Sequence, residues 1–232
     1  MDYSNPLLIS IRKAGQKIGI LKPLQRLYRR VSKSEYEQGF DEALMEAIRP
    51  GDIVWDVGAN IGYYTRRFAE KTGDSGKVFA FEPSPAAAKE IWHACQGLEQ
   101  VVVCELALSD VSGTFPFSMS ESTATTNSLA GSTIPSTAII NVEVTTGDAA
   151  LREFAVPNVV KIDVEGYEPE VLRGMMSTLQ SASLRAVFIE VHFSALNSRG
   201  CGAEPKKMVG LLKKSGLTVK WVDPSHIAAY RH

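Results

Sequence analysis

The stretch Ile53-Val54-Trp55-Asp56-Val57-Gly58-Ala59-Asn60-Ile61-Gly62 decides the fold. An apolar run ends in an acid, a turn with glycines follows, and a helical stretch begins. Further on, a second apolar run, Val78-Phe79-Ala80-Phe81, stops at Glu82. Strand, glycine turn, helix, then a strand closed by an acid about twenty residues on is the layout of a nucleotide site on an open α/β sheet. Glycine lets the backbone approach a ligand closely, and an acid at position 82 is placed to hold two ribose hydroxyls.

The spacing separates two kinds of nucleotide. A dinucleotide fold uses G-x-G-x-x-G to seat a pyrophosphate on a helix N-terminus. Here Asn60 stands where the middle glycine would be, and Asp56 precedes the turn. A carboxylate there repels a pyrophosphate and attracts an ammonium group. S-adenosylmethionine, with its α-ammonium, carboxylate and ribose, suits Asp56, the turn amides and Glu82 together.

From residue 52 onward strand and helix signals alternate, which implies a parallel sheet covered on both faces. Strands are predicted near 52–57, 77–82, 101–107, 159–164, 185–192 and 217–222, with a last one at 227–232. Helices are predicted near 35–48, 62–72, 85–96, 168–180 and 205–215. Residues 112–146 break the rhythm: two segments of strand character flank a Ser/Thr-rich stretch (118–138) too polar to bury much surface. That insertion reads either as a lid over the substrate or as a surface excursion.

At 232 residues, 44% hydrophobic and 22% charged, the chain suits one sizeable core with an appendage. There is no run of ~18 apolar residues to span a membrane, and no signal peptide is expected. The three cysteines, Cys95, Cys104 and Cys201, form neither a zinc pattern nor a disulfide framework, so a cytoplasmic setting is expected. The net charge of -1 hides an asymmetry. Residues 1–33 carry eight basic residues against Asp2 alone, net +7, and the remainder carries 17 basic and 25 acidic residues, net -8. The expected organisation is a basic helical extension over 1–48 and a cofactor-binding domain over 49–232. The extension reads as a docking face for an anionic surface or partner, or as an accessory helix with solvated charges.

Ligands on such sheets bind beyond the carboxyl ends of the strands. The strand at 159–164 ends in Asp163, Glu165 and Glu168. A helix start accounts for Glu168 and Glu170, because acids favour helix N-termini. Asp163 alternates with Ile162 and Val164 and is expected to face the cleft. Glu190 and His192 share a face of the next strand. Proton transfer by His192, or a divalent cation such as Mg²⁺ between Asp163 and Glu190, are both open on these residues.

Asp-Val-Gly-Ala-Asn-Ile-Gly-Tyr-Tyr-Thr (56–65), Phe-Glu-Pro (81–83), Ala-Leu-Ser-Asp (107–110), Lys-Ile-Asp-Val-Glu-Gly-Tyr-Glu (161–168) and Ile-Glu-Val-His (189–192) together resemble the FkbM-type methyltransferases. The likeness runs in order from 51 to 192. It implies a class I, Rossmann-like, mostly parallel seven-stranded sheet in the order 3-2-1-4-5-7-6. It also implies S-adenosylmethionine as cofactor and methylation, usually of an oxygen, on a natural product, sugar or glycan. Carried onto this chain, Asp56, Gly58, Ala59, Asn60 and Gly62 contact the methionine part and Glu82 holds the ribose. Leu106 and Ala107 stand where many methyltransferases place an acid against the adenine, which leaves backbone groups or Ser109 for that contact. Asp163 lies near the transferred methyl, as first candidate for the base, with His192 second and Glu190 beside it. Methylation of a nitrogen acceptor, or a non-catalytic cofactor-binding module, are the alternatives. A nucleic-acid acceptor is not expected, because no Asn/Asp-Pro-Pro-Tyr/Phe motif ends the fourth strand.

Overall fold

The computed structural model describes residues 38–119, 128–129 and 138–232. The basic stretch 1–33 and most of the polar stretch 118–138 lie outside them. The described chain opens with a helix over 38–47, here α1. Then follow β1 (Ile53–Val57), α2 (Tyr63–Thr72), β2 (Lys77–Phe81), α3 (Pro85–Ala94) and β3 (Val101–Cys104). An excursion comes next: β4 (Ala107–Ser109), β5 (Gly113–Met119), β6 (Ser128–Leu129) and β7 (Ala138–Thr146). The chain returns through α4 (Gly147–Ala150), β8 (Val159–Ile162), α5 (Glu168–Arg173), α6 (Met176–Gln180) and β9 (Ala186–Glu190). It ends with α7 (Phe193–Ser198), α8 (Glu204–Lys214), β10 (Thr218–Trp221) and β11 (His226–Tyr230).

Seven strands form the main sheet in the order β10-β11-β9-β8-β1-β2-β3. Counted within that sheet, this is the implied 3-2-1-4-5-7-6, with only β11 running antiparallel to its neighbours. Its central strands are buried almost throughout, as an apolar run covered on both faces should be. Alternate residues feed two cores. Trp55, Val57, Val160 and Ile162 pack with Leu172, Leu179, Leu196 and Leu212 of α5–α8. Val54, Val78, Val159 and Phe188 pack with Phe40 and Leu44 of α1 and Phe68 of α2. The end of the expected N-terminal extension is thus part of the main core.

Local chemistry sets the boundaries. Helix α3 starts at Pro85 with Ser84 as cap, its hydroxyl accepting from the Ala87 amide at 3.4 Å. The expected strand 101–107 stops at Cys104, where the chain leaves the main sheet for the second one, ordered β4-β7-β5-β6. The two strand-like segments of the insertion do pair, antiparallel, as β5 and β7. The expected helix 168–180 is two short helices, broken at Gly174 and Met175. At the break the backbone comes close to β4: a Cβ on Gly174 would lie 1.9 Å from the Ser109 carbonyl oxygen. Helix α7 had no signal in the periodicity.

The register sets the site. Asp56 stands beside both Ala80 and Lys161, and Val57, Phe81, Ile162 and Ile189 form one row across the sheet. The next residues along each strand, Gly58, Glu82, Asp163 and Glu190, therefore emerge together at the carboxyl edge.

Gly174→Ala is expected to destabilise the fold by about 2–3 kcal/mol through overpacking, lowering Tm by roughly 4–10 °C for a chain of this size. Gly174 has φ -76, so backbone preference plays no part. Thermal denaturation that leaves Tm unchanged would show that β4 and α5 do not meet as described.

Candidate active site

Asp56 is fully buried at the end of β1. One carboxylate oxygen accepts from Thr65 Oγ1 at 2.7 Å and the other from Lys161 Nζ at 3.1 Å. Its charge is thus turned toward α2 and β8, and it acts on the turn that follows it. Lys161 also donates to the Gly58 carbonyl at 3.1 Å and lies 3.5 Å from Asp163 Oδ2. Burial alone would lower the pKa of this ammonium, but Asp56 and Asp163 more than reverse that, so it is held charged. Lys161 was not among the expected site residues. A lysine inside the apolar run of a central parallel strand was the available signal, because it requires a buried counter-charge.

Gly58, Asn60 and Gly62 all have positive φ: 79°, 52° and 85°. The reason for glycine is internal. A Cβ on Gly58 would fall 1.9 Å from the Asp163 carbonyl oxygen, so the turn is pressed against the β8 loop. The space expected for a ligand at that atom is filled by the protein's own backbone. The Gly58 and Ala59 amides donate to the Phe81 carbonyl at 3.0 and 3.1 Å.

Glu82 is buried, and its two oxygens accept from the Asn60 and Ser84 amides, each at 2.9 Å. Beside it the Asn60 side-chain oxygen is buried with no hydrogen-bond partner among the described residues. Two acceptors on adjoining loops, one of them unsatisfied, suit a ligand bearing hydroxyl or ammonium donors, as the expected cofactor does. Leu106 and Ala107 are half-buried where the chain passes from β3 to β4.

Asp163 and Glu190 reach the same edge. The side chain of Asp163 is 27% exposed and stands between Lys161 and His192, whose Nε2 lies 3.7 Å from Asp163 Oδ1. The same Nε2 is 3.4 Å from Glu165 Oε2 and 3.8 Å from Glu190 Oε1. The other ring nitrogen, Nδ1, is 2.8 Å from Glu168 Oε1. Burial would lower the pKa of His192, but the Glu168 bond and the Asp163 and Glu165 charges push it up to about 10. Glu168 is fully buried and also accepts from the Gly166 amide at 2.7 Å. It is the helix-start acid that its position suggested, and it also supports the His192 ring from a fully buried place. Periodicity could not show this, because the chain reverses through positive φ at Glu165 and Gly166. Glu190 turns its second oxygen toward His226 Nε2 at 3.6 Å, and His226 Nδ1 is 2.7 Å from Asp223. Burial opposes ionisation of Glu190, yet the two histidines hold its pKa at about 2. One ligand atom each from Asp163, Glu165 and His192 lies within 4.8 Å of the others, a set able to hold a divalent cation.

Burial pushes the Glu82 carboxyl up from 4.5 to about 7, against the two amide bonds that favour its charged form. A carboxyl raised on folding makes the native state bind the extra proton. Its contribution to stability is therefore best at low pH and is lost as pH rises from 4.5 to 7, by up to about 3 kcal/mol. Glu82→Gln removes this titration. Urea unfolding at pH 5 and pH 8 is expected to show a stability difference between wild type and variant that shifts in the variant's favour as pH rises. Parallel curves would rule out a buried, titrating Glu82.

Comparison with known proteins places this edge in context. The sequence pattern described as the methyltransferase FkbM domain matches residues 56–218. The hexuronic acid methyltransferase AglP of Haloferax volcanii is 31% identical over 187 residues, covering 79% of this chain and 71% of that protein. Among solved structures, an FkbM methyltransferase from Methylobacillus flagellatus KT is similar with TM-score 0.50 and 12% identity, over 77% of this chain but only 43% of the other. A putative rRNA methylase from Clostridium thermocellum gives TM-score 0.51 at 12% identity, over 83% and 92% of the two chains. Identities this low speak to the fold alone. Among the described residues no helix is long and apolar enough to cross a membrane. The matched pattern and the 31%-identical relative together show that this chain belongs to the FkbM family of S-adenosylmethionine-dependent methyltransferases.

Proposed function

We propose that the chain transfers a methyl group to a hydroxyl oxygen of a sugar-containing acceptor, with Asp163 receiving the hydroxyl proton. The sugar follows from the likeness to a hexuronic acid methyltransferase. The role of Asp163 rests on one observation: among the partly exposed carboxylates at the carboxyl edge, it is the one fixed between Lys161 and His192, on the loop pressed against the glycine turn.

The cofactor, when bound, supplies a methyl on a sulfonium centre. Glu82 and the Asn60 oxygen accept from its donors, and the backbone from Gly58 to Gly62 and at Leu106 and Ala107 shapes its seat. Asp163 holds the acceptor oxygen and takes its proton late in the transfer, when the oxygen has become acidic. Lys161 fixes Asp163 in place from behind the edge. Glu168 fixes the His192 ring, and His192 closes the other side. A non-catalytic module would need none of this arrangement.

A second reading rests on the grouping of Asp163, Glu165 and His192. A buried carboxylate on one ring nitrogen leaves the other aimed at a shared point, the arrangement that prepares histidines for metals. A Mg²⁺ ion held there would orient the acceptor oxygen and lower its pKa. In this reading Glu165, rather than Glu190, is the second carboxylate.

Asp163→Asn is expected to lower kcat by roughly 10²–10⁴-fold, the usual worth of a general base, while S-adenosylhomocysteine affinity by calorimetry changes less than about threefold. Undiminished turnover removes Asp163 from the reaction. The cation reading is tested by titrating Mn²⁺ into wild type and Glu165→Gln with detection by paramagnetic resonance. Ion uptake by the wild type that the variant loses supports it; no uptake by the wild type sinks it.

A further inference from the structure

Beyond the end of β3 the second sheet and the start of α5 border a half-open cavity of about 240 Å³. It is smaller than the roughly 300–1,000 Å³ pockets that take drug-sized ligands, so it admits one ring and not a chain of them. We propose that this cavity holds a single uncharged pyranose ring of the acceptor. The proposal rests on the sugar-acceptor reading above and adds to it where the ring sits and what charge it carries.

The lining is mixed in the way a sugar ring is mixed. Val111, Phe115 and Val144 are apolar, Tyr167 adds an aromatic ring, and Asp110 and Glu170 bring carboxylates. A pyranose presents an apolar C–H face and a rim of hydroxyls, so it fits both parts. The Tyr167 ring is held by the Arg199 guanidinium, 3.6 Å from the ring centroid, so its place is set before any ligand arrives. Glu170 Oε1 takes Arg199 Nη2 at 2.9 Å and Arg173 Nη2 at 3.1 Å. Its Oε2 is buried with no hydrogen-bond partner among the described residues. A buried acceptor without a donor calls for one, and a sugar hydroxyl is such a donor.

Charge decides against an acidic ring. Arg173 meets Asp110 through Nε at 2.9 Å, Glu204 through Nη1 at 3.0 Å and Glu170 through Nη2. Both nearby guanidiniums are thus already matched by carboxylates. A uronate carboxylate entering the cavity would face Asp110 and Glu170 with no such partner left for it.

The cavity is within reach of the reacting edge. Tyr167 lies four residues past Asp163 on one loop, so their Cα atoms are at most about 14 Å apart. Asp163 does not itself line the cavity, so a ring held there would place the adjoining sugar, rather than its own hydroxyls, toward Asp163.

The test uses the full chain loaded with S-adenosylhomocysteine. Methyl glucopyranoside, methyl mannopyranoside and methyl galactopyranoside are probed by saturation-transfer NMR, with methyl glucuronopyranoside as the charged comparison. At least one neutral glycoside is expected to receive saturation and to outcompete the uronide. Phe115→Ala, at a site 36% exposed, and Val111→Trp, at a site 47% exposed, should each weaken that signal at least fivefold. Because both positions are at the surface, folding should survive, and S-adenosylhomocysteine affinity should stay within twofold. The proposal is overturned if no neutral glycoside receives saturation, if the signal persists in both variants, or if the uronide binds more tightly. Failure of S-adenosylhomocysteine to bind would instead count against the methyltransferase reading, so the two failures are told apart.

Discussion

One buried ion pair carries the architecture of the edge. Lys161 on β8 and Asp56 on β1 are 4% and 0% exposed at their side chains, and they meet at 3.1 Å in the middle of the sheet. Two charges so far from water are tolerated only when every polar atom is used. Here Asp56 also takes Thr65 from α2, and Lys161 also takes the Gly58 carbonyl, with Tyr64 lying 5.1 Å below the ammonium. Removing one partner would strand the other, a loss of about 3–5 kcal/mol in comparable pairs. The pair joins β1, α2, β8 and the glycine turn at one point, and what the edge presents to a ligand follows from it.

Two consequences follow. Where the Lys161 ammonium meets the Gly58 carbonyl, the β8 loop lies so close to the turn that position 58 has no room for a side chain. That leaves Asp163 standing just outside the pair, anchored from one side by Lys161 and from the other by His192. Glu82 shows the opposite compromise. Its carboxylate is kept buried although burial penalises the charge, and the Asn60 and Ser84 amides offset only part of that. A group retained at a cost to stability is what a ligand-binding role predicts.

The sequence revealed the edge better than the depth behind it. Val57, Phe81 and Ile162 could be placed in a row because apolar runs ending in acids mark the carboxyl ends of parallel strands. The order of strands came from the resemblance and not from the periodicity. Direction was the harder matter. Asp56 and Glu82 both looked outward in one dimension, and only the fold shows Asp56 turned in toward Thr65. Glu168 was read only as a helix-start acid because nothing local marks the reversal at Glu165 and Gly166 that swings it under His192. His226 is far along the chain from Glu190, one residue ahead of the expected last strand 227–232, yet pairs with it across β9 and β11. Partners distant in sequence leave no periodic trace.

The division of labour between the two sheets follows from these constraints. The turns that leave the main sheet at its carboxyl edge are held by the buried pair, the Gly58 contact and the Glu82 amides, which allow little change. The cavity lies against β4, β5 and β7, a smaller sheet that the chain enters only after β3 has ended. Phe115 and Val111 there are partly exposed and make no contribution to the main core. Substitutions at such positions can alter what is bound without disturbing Glu82 or Asp163 at the carboxyl edge. Tyr167, the cap of α5, and Glu170, in its first turn, follow Asp163 along the chain and also line the cavity. With the acceptor ring seated as proposed, the loop from Asp163 to Tyr167 is the element that would pass its position to the edge.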